Sequence, residues 1–201
     1  MSKDINKVEN IDFGFPDPCG RFTSWKQALV DILANMIGDL ERYSLSVAAP
    51  KKLLKCIIED KQYLNEIRKP KLCHGDLWPK NVLIKSNKNL RIVGLLDSER
   101  AFWGDPKAEW IILGARFAGQ KSKKNHVFRC GLFSADYIEI PTSLSERFTD
   151  NSEGELFRRQ IYLGIYLTQR KLESQRFPRN EQWIEEEFNS VLSILKATLD
   201  R

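Results

Sequence analysis

The chain has few of the residues that build metal or disulfide scaffolds: four cysteines and two histidines among 201 residues. No pair forms a C-x-x-C motif, so Cys19, Cys56, Cys73 and Cys130 read as free thiols, and a structural zinc site is not expected. Long apolar runs are missing too. None approaches the roughly 20 residues that span a bilayer. The start, Met1-Ser2-Lys3-Asp4-Ile5-Asn6, is polar, with no signal-peptide core behind it. The expectation is a cytoplasmic protein with no membrane partner. Internal repeats and Gly/Ser linkers are absent, which leaves one domain of ordinary size. Excess charge is small: 32 basic against 27 acidic residues give +5, and the positive residues are scattered. Their one cluster, Lys121, Lys123, Lys124 and Arg129, reads as a solvated loop, so no nucleic-acid partner is expected.

What is present is mostly helical periodicity. Residues 1–23 read as an irregular segment punctuated by Pro16, Pro18 and Gly20, with a single domain over 24–201. Ser24 and Gln27 form a capping box, and Trp25, Leu29, Ile32, Leu33, Met36, Ile37 and Leu40 share one helical face. A second helix is expected to open near Pro50, bury Leu53, Leu54, Ile57, Ile58, Leu64 and Ile67, and stop at Pro70. Two short β-branched runs, Val82-Leu83-Ile84 and residues 90–96, flank Ser86-Asn87-Lys88-Asn89 and predict a hairpin. Helical spacing returns after Pro106 through Trp110, Ile111, Leu113 and Phe117. It returns again after a capping box of Ser152 and Glu155, with Leu156, Ile161, Leu163, Ile165 and Tyr166. A last helix from about Asn180 turns Trp183, Ile184, Phe188, Val191, Leu192 and Leu195 inward. The acids Glu181, Glu185, Glu186 and Glu187 sit at its dipole-favoured start. The expected fold is α+β, mainly helical, with a small central β-hairpin.

The chemistry concentrates in His74-Gly75-Asp76-Leu77-Trp78-Pro79-Lys80-Asn81, followed 16 residues after Asn81 by Asp97. Asp76 lies in a turn after a short strand. Asn81 precedes one strand of the hairpin and Asp97 follows the other, so both are expected at the same edge. A carboxylate and an amide oxygen are hard ligands that suit magnesium, which keeps water and phosphate oxygens as its other ligands. Asp76 beside them would orient a hydroxyl and accept its proton. Phosphoryl transfer asks a protein for little more than such positioning and charge neutralisation.

Residues 74–84 resemble the catalytic loop of the aminoglycoside phosphotransferase family, which stands with the choline kinases and shares the protein-kinase-like fold. Gly94-Leu95-Leu96-Asp97-Ser98-Glu99-Arg100-Ala101-Phe102-Trp103-Gly104-Asp105-Pro106 resembles its metal-binding strand and Gly-Asp-Pro turn. The two motifs occupy 72–106. The resemblance implies a protein-kinase-like C-terminal lobe and a small-molecule kinase that moves the γ-phosphate of ATP or GTP to a hydroxyl. In that reading Asp76 is catalytic, and Asn81 and Asp97 hold Mg2+. His74 and Asp105 brace the loop, and Trp78 and Glu99 are candidate acceptor contacts.

Two departures qualify the carry-over. Ser98 stands where the family often has an aromatic residue. Upstream of His74 the only glycines are Gly14, Gly20 and Gly38, and none forms a phosphate loop. The expectation is that the N-terminal lobe is absent and the chain begins at or after the hinge. It would then pair with a separate lobe or with itself, or act as a truncated, catalytically inactive binding module of the same fold.

Overall fold

Ser24 starts the first long helix. Its hydroxyl accepts a hydrogen bond from the Gln27 amide at 3.3 Å, and helix α2 runs Trp25–Arg42. The computed structural model describes residues 2–16, 20–60, 62–77, 79–86, 90–109, 127–128, 138–139, 152–176 and 181–200. A short helical turn, α1 (Ser2–Ile5), precedes α2, and α3 follows at Ala48–Glu59. Helices α4 (Glu153–Glu173) and α5 (Glu181–Leu199) close the chain. Ser152 caps α4 through the Glu155 amide at 3.3 Å, as the sequence predicts.

The second helix is shorter than expected. It ends at Glu59 because Asp60 turns the chain out and becomes a cap itself. Its two carboxylate oxygens accept the amides of Tyr63 and Leu64 at 3.0 and 3.1 Å and start a separate 3-10 turn, Leu64–Glu66. Leu64 still reaches the core with no exposure, whereas Ile58 is exposed.

The core forms where α2, α3, α4 and α5 meet. Leu29, Leu33, Leu53, Ile57, Phe157, Ile161, Ile184 and Phe188 are all buried in it. On α4 the inward residues are Phe157, Ile161, Tyr162, Tyr166 and Leu167, and Leu156 faces solvent. The shift reflects the 3.6-residue period, which puts Phe157 rather than Leu156 above Ile161. On α5, Ile184, Phe188, Val191 and Leu195 are buried, with Trp183 and Leu192 at the margin.

The strands pair as small antiparallel ribbons. β1 (Lys71–Cys73) pairs with β4 (Phe102–Gly104), placing Cys73 opposite Phe102. β2 (Val82–Ser86) pairs with β3 (Leu90–Leu95) as the predicted hairpin, with an irregularity between Leu83 and Ile84. Two-residue strands β5 (Val127–Phe128) and β6 (Ile138–Glu139) pair with each other. The N-terminal segment is more ordered than its sequence suggests. Gly14 and Trp103 exchange backbone hydrogen bonds at 2.9 and 2.8 Å, and the Leu72 amide donates to the Val8 carbonyl at 3.0 Å. The segment thus widens the β1–β4 ribbon on both sides. The basic residues Lys121, Lys123, Lys124 and Arg129 lie outside the described residues, as does the helix expected through Trp110 and Phe117 beyond its first turn at 106–109, which is helical.

Candidate active site

The loop 74–81 leaves β1 through a turn that only glycine fits. Gly75 has φ +74°, and a Cβ there would run into the Arg100 carbonyl. This close approach brings the 3-10 turn Ser98–Arg100, which follows Asp97, against the loop. Asp76 is half-buried, and Leu77 after it is buried. Trp78 lies outside the described residues.

Asn81 ends the 3-10 turn Pro79–Asn81 and is 7% exposed. Its Nδ2 donates to the Asp76 carbonyl at 2.9 Å and to Asp76 Oδ2 at 3.2 Å. Both neighbours are acceptors, so it is the amide nitrogen of Asn81, not its Oδ1, that faces Asp76. The Asn81 carbonyl accepts the Leu96 amide at 2.9 Å, and Val82 faces Leu95 in the hairpin. Asp97 therefore leaves β3 beside Asn81, as the hairpin reading expects. It is exposed and left-handed, with φ 63° and ψ 55°. A non-glycine residue held there carries strain on the order of 1–2 kcal/mol, and such strain concentrates at functional positions. Asn81 and Asp97 fit a magnesium ion by donor type, since an amide oxygen and a carboxylate are both hard ligands. Among the described residues no group of three or more His, Cys, Asp and Glu is placed to hold a metal.

His74 is 4% exposed, and its Nδ1 accepts the Asp76 amide at 3.4 Å. The loop is held from below by a residue the sequence reading passed over. Glu109 Oε1 accepts the amides of His74 at 2.7 Å and Gly75 at 3.3 Å. Burial pushes the Glu109 pKa up, against the opposing pull of those amides and of His74. An acid three residues after Pro106 looks like a solvated first-turn residue. The β1–β4 register is what puts it under the loop.

The contacts of Asp105 run to Lys107, Tyr162 and Arg158. It is 3% exposed, and its Oδ1 caps the helical turn at 106–109 through the Lys107 amide at 2.9 Å. Its Oδ2 accepts from the Tyr162 hydroxyl at 2.7 Å, and that hydroxyl accepts from Trp25 Nε1 at 2.8 Å. Arg158 Nε stands 3.7 Å from the same oxygen, while the guanidinium also binds Glu66 and the Tyr63 carbonyl. Asp105 thus ties the turn after β4 to α2 and α4, and Glu109 braces the loop itself. Glu99 is exposed on the Ser98–Arg100 turn. With Gly75 and Arg100 it lines one end of a cavity of about 690 Å³ between α2 and α4.

Helices packed beside a strand–loop–hairpin unit that carries an Asp, an Asn and a second Asp define the class: a mainly helical α+β, kinase-like C-terminal lobe. Residues 28–123 match the model of the phosphotransferase enzyme family, the family whose catalytic loop the sequence resembles. No curated protein matched the sequence. Among solved structures the chain is similar to a thermostable mutant of aminoglycoside phosphotransferase APH(4)-Ia, in ternary complex with AMP-PNP and hygromycin B. Identity is 16% and the TM-score 0.53, over 99% of this chain and 61% of that one. A second thermostable mutant of that enzyme, with the same ligands, gives 14% and 0.50 over the same shares. This chain therefore spans less than two thirds of the length of the structures it matches. No described helix is long and apolar enough to cross a membrane.

Proposed function

We propose that residues 24–201 form the catalytic lobe of a small-molecule phosphotransferase that moves the γ-phosphate of ATP or GTP to a hydroxyl group with Mg2+. The observation that carries this is the Asn81 side chain: its nitrogen is tied to Asp76, and its backbone is tied to the residue before Asp97. One residue thereby joins the acceptor side of the reaction to the phosphate side. Asp76 orients the acceptor hydroxyl and takes its proton as the oxygen attacks phosphorus. Asn81 Oδ1 and the Asp97 carboxylate hold Mg2+, which when bound neutralises charge on the donor's phosphates. Glu109 keeps the Asp76 turn from moving by holding two consecutive amides.

The test is a pair of variants read by two measurements. Calorimetry with Mg2+ and AMP-PNP is expected to show binding that Asp97→Asn weakens at least about 10–100-fold, the range already produced by losing outer-shell metal partners. Asp76→Asn is expected to leave that binding intact and lower phosphoryl transfer about 10²–10⁴-fold, the usual contribution of a positioned general base. Unchanged nucleotide affinity in Asp97→Asn refutes the metal role. Binding without transfer in the parent chain identifies the inactive binding module instead.

A further inference from the structure

We propose that the cavity between α2 and α4 is the acceptor pocket, and that it takes a hydroxyl compound with an apolar body and at most one ammonium group. This deepens the phosphotransfer reading and rests on it. Position is the first argument. Gly75, Glu99 and Arg100 line the cavity, and they adjoin Asp76 and the Asp97 turn. An occupant therefore lies next to the residue assigned to its hydroxyl.

The walls supply the second. Leu29, Ile32 and Met36 of α2, Phe102 of β4, and Ile165 and Leu172 of α4 line the space. A volume of about 690 Å³ suits a drug-sized molecule, and such pockets are lined mainly by apolar groups with a few polar ones that set orientation.

Charge supplies the third. Among the described residues the lining holds three acids, Asp39, Glu99 and Glu173, and three arginines, Arg42, Arg100 and Arg176, so their formal charges cancel. Two of the acids are already paired within the chain. Asp39 meets Arg42 at 2.9 Å, and Glu173 meets Arg100 at 3.3 Å and Arg170 at 2.6 Å. A paired carboxylate offers little field to a further cation. A compound with several ammonium groups would have to shed their hydration against a neutral, apolar wall. Glu99 is the lining acid with no ion pair among the described residues, and it seats one cation at the mouth.

Calorimetry on the whole chain at about 150 mM salt, where exposed charge is screened beyond roughly 8 Å, separates the alternatives. The probes are octyl glucoside below its micelle concentration and hygromycin B. Octyl glucoside is expected to bind saturably, and hygromycin B at least about tenfold more weakly. Met36→Lys and Leu172→Lys each alter a half-buried lining residue. Whichever keeps the parent's circular dichroism is expected to lose most of the octyl glucoside affinity. Hygromycin B binding as tightly as octyl glucoside overturns the proposal, as does octyl glucoside affinity that both folded variants leave unchanged. A parallel titration with Mg2+ and AMP-PNP distinguishes the two levels. Nucleotide binding that depends on Asp97, without octyl glucoside binding, removes the pocket assignment alone. Nucleotide binding indifferent to Asp97 removes the phosphotransfer reading beneath it.

Discussion

Glu109 spends its carboxylate on two loop amides in a site that disfavours charge, and this has a measurable sign. Burial raises its pKa above the ordinary glutamate value of 4.5. The folded chain therefore holds that proton more tightly than the unfolded chain. The stability this gives is complete below the ordinary value and is lost as pH rises through the folded value. Glu109→Gln is expected to gain stability relative to the parent as pH rises from about 4 to 7, measured as the difference in urea midpoints. A difference that stays flat across this range refutes the assignment. Gly75 is a position where its neighbours leave no space for a side chain. Gly75→Ala must adopt φ +74° and displace the Arg100 carbonyl. It is expected to cost at least about 1 kcal/mol in urea unfolding and to lower nucleotide binding as the Asp97 turn shifts.

The helices and strands are joined through polar contacts as much as through the core. Tyr162 of α4 accepts from Trp25 of α2 and donates to Asp105 after β4, all three buried. Burial and the adjacent Asp105 carboxylate hold the Tyr162 hydroxyl protonated, far above the ordinary tyrosine range. Tyr162→Phe leaves an indole donor and a carboxylate oxygen without this partner. It is expected to destabilise the fold by about 1–3 kcal/mol in urea unfolding, more than an exposed substitution on the same helix. Ser24→Ala removes only the cap of α2 and is expected to cost about 1 kcal/mol in the same measurement. The early end of α3 belongs here too. Apolar spacing carried the expected helix on to Ile67, but the two hydrogen bonds that the Asp60 carboxylate accepts from the Tyr63 and Leu64 amides outcompete continuation, a known competition between short acidic side chains and helix.

For the chain as a unit, the hairpin gathers several exposed apolar side chains among the described residues. Leu83, Ile84, Ile92, Val93 and Leu96 are each 44–58% exposed, on a ribbon with solvent on both faces. Contiguous apolar surface of this kind promotes association. The double substitution Ile84→Ser and Val93→Ser is expected to raise the concentration at which sedimentation shows a monomer and to leave the helical circular dichroism unchanged. No change in association state would mean that the ribbon does not mediate contact between chains.

Local chemistry made some of this legible beforehand. Serine caps at 24 and 152, the apolar stripe of α2 and the hairpin at 82–95 depend on residues a few positions apart, and that is the range over which side-chain type dictates backbone. The contact of Asn81 with Asp76 and the closure of the hairpin from Asn81 to Leu96 have the same origin, because a turn and a hairpin are short-range geometry. Glu109 under the loop, Tyr162 between Trp25 and Asp105, and the pairing of Arg100 with Glu173 were not legible. Their partners lie 34 to 137 residues away in the chain. No spacing rule reaches across such distances; the packing of α2 against α4 and the register of β1 on β4 create those contacts. The character of the cavity follows from the same cause, because charges that look available along the chain are cancelled by neighbours that only folding supplies.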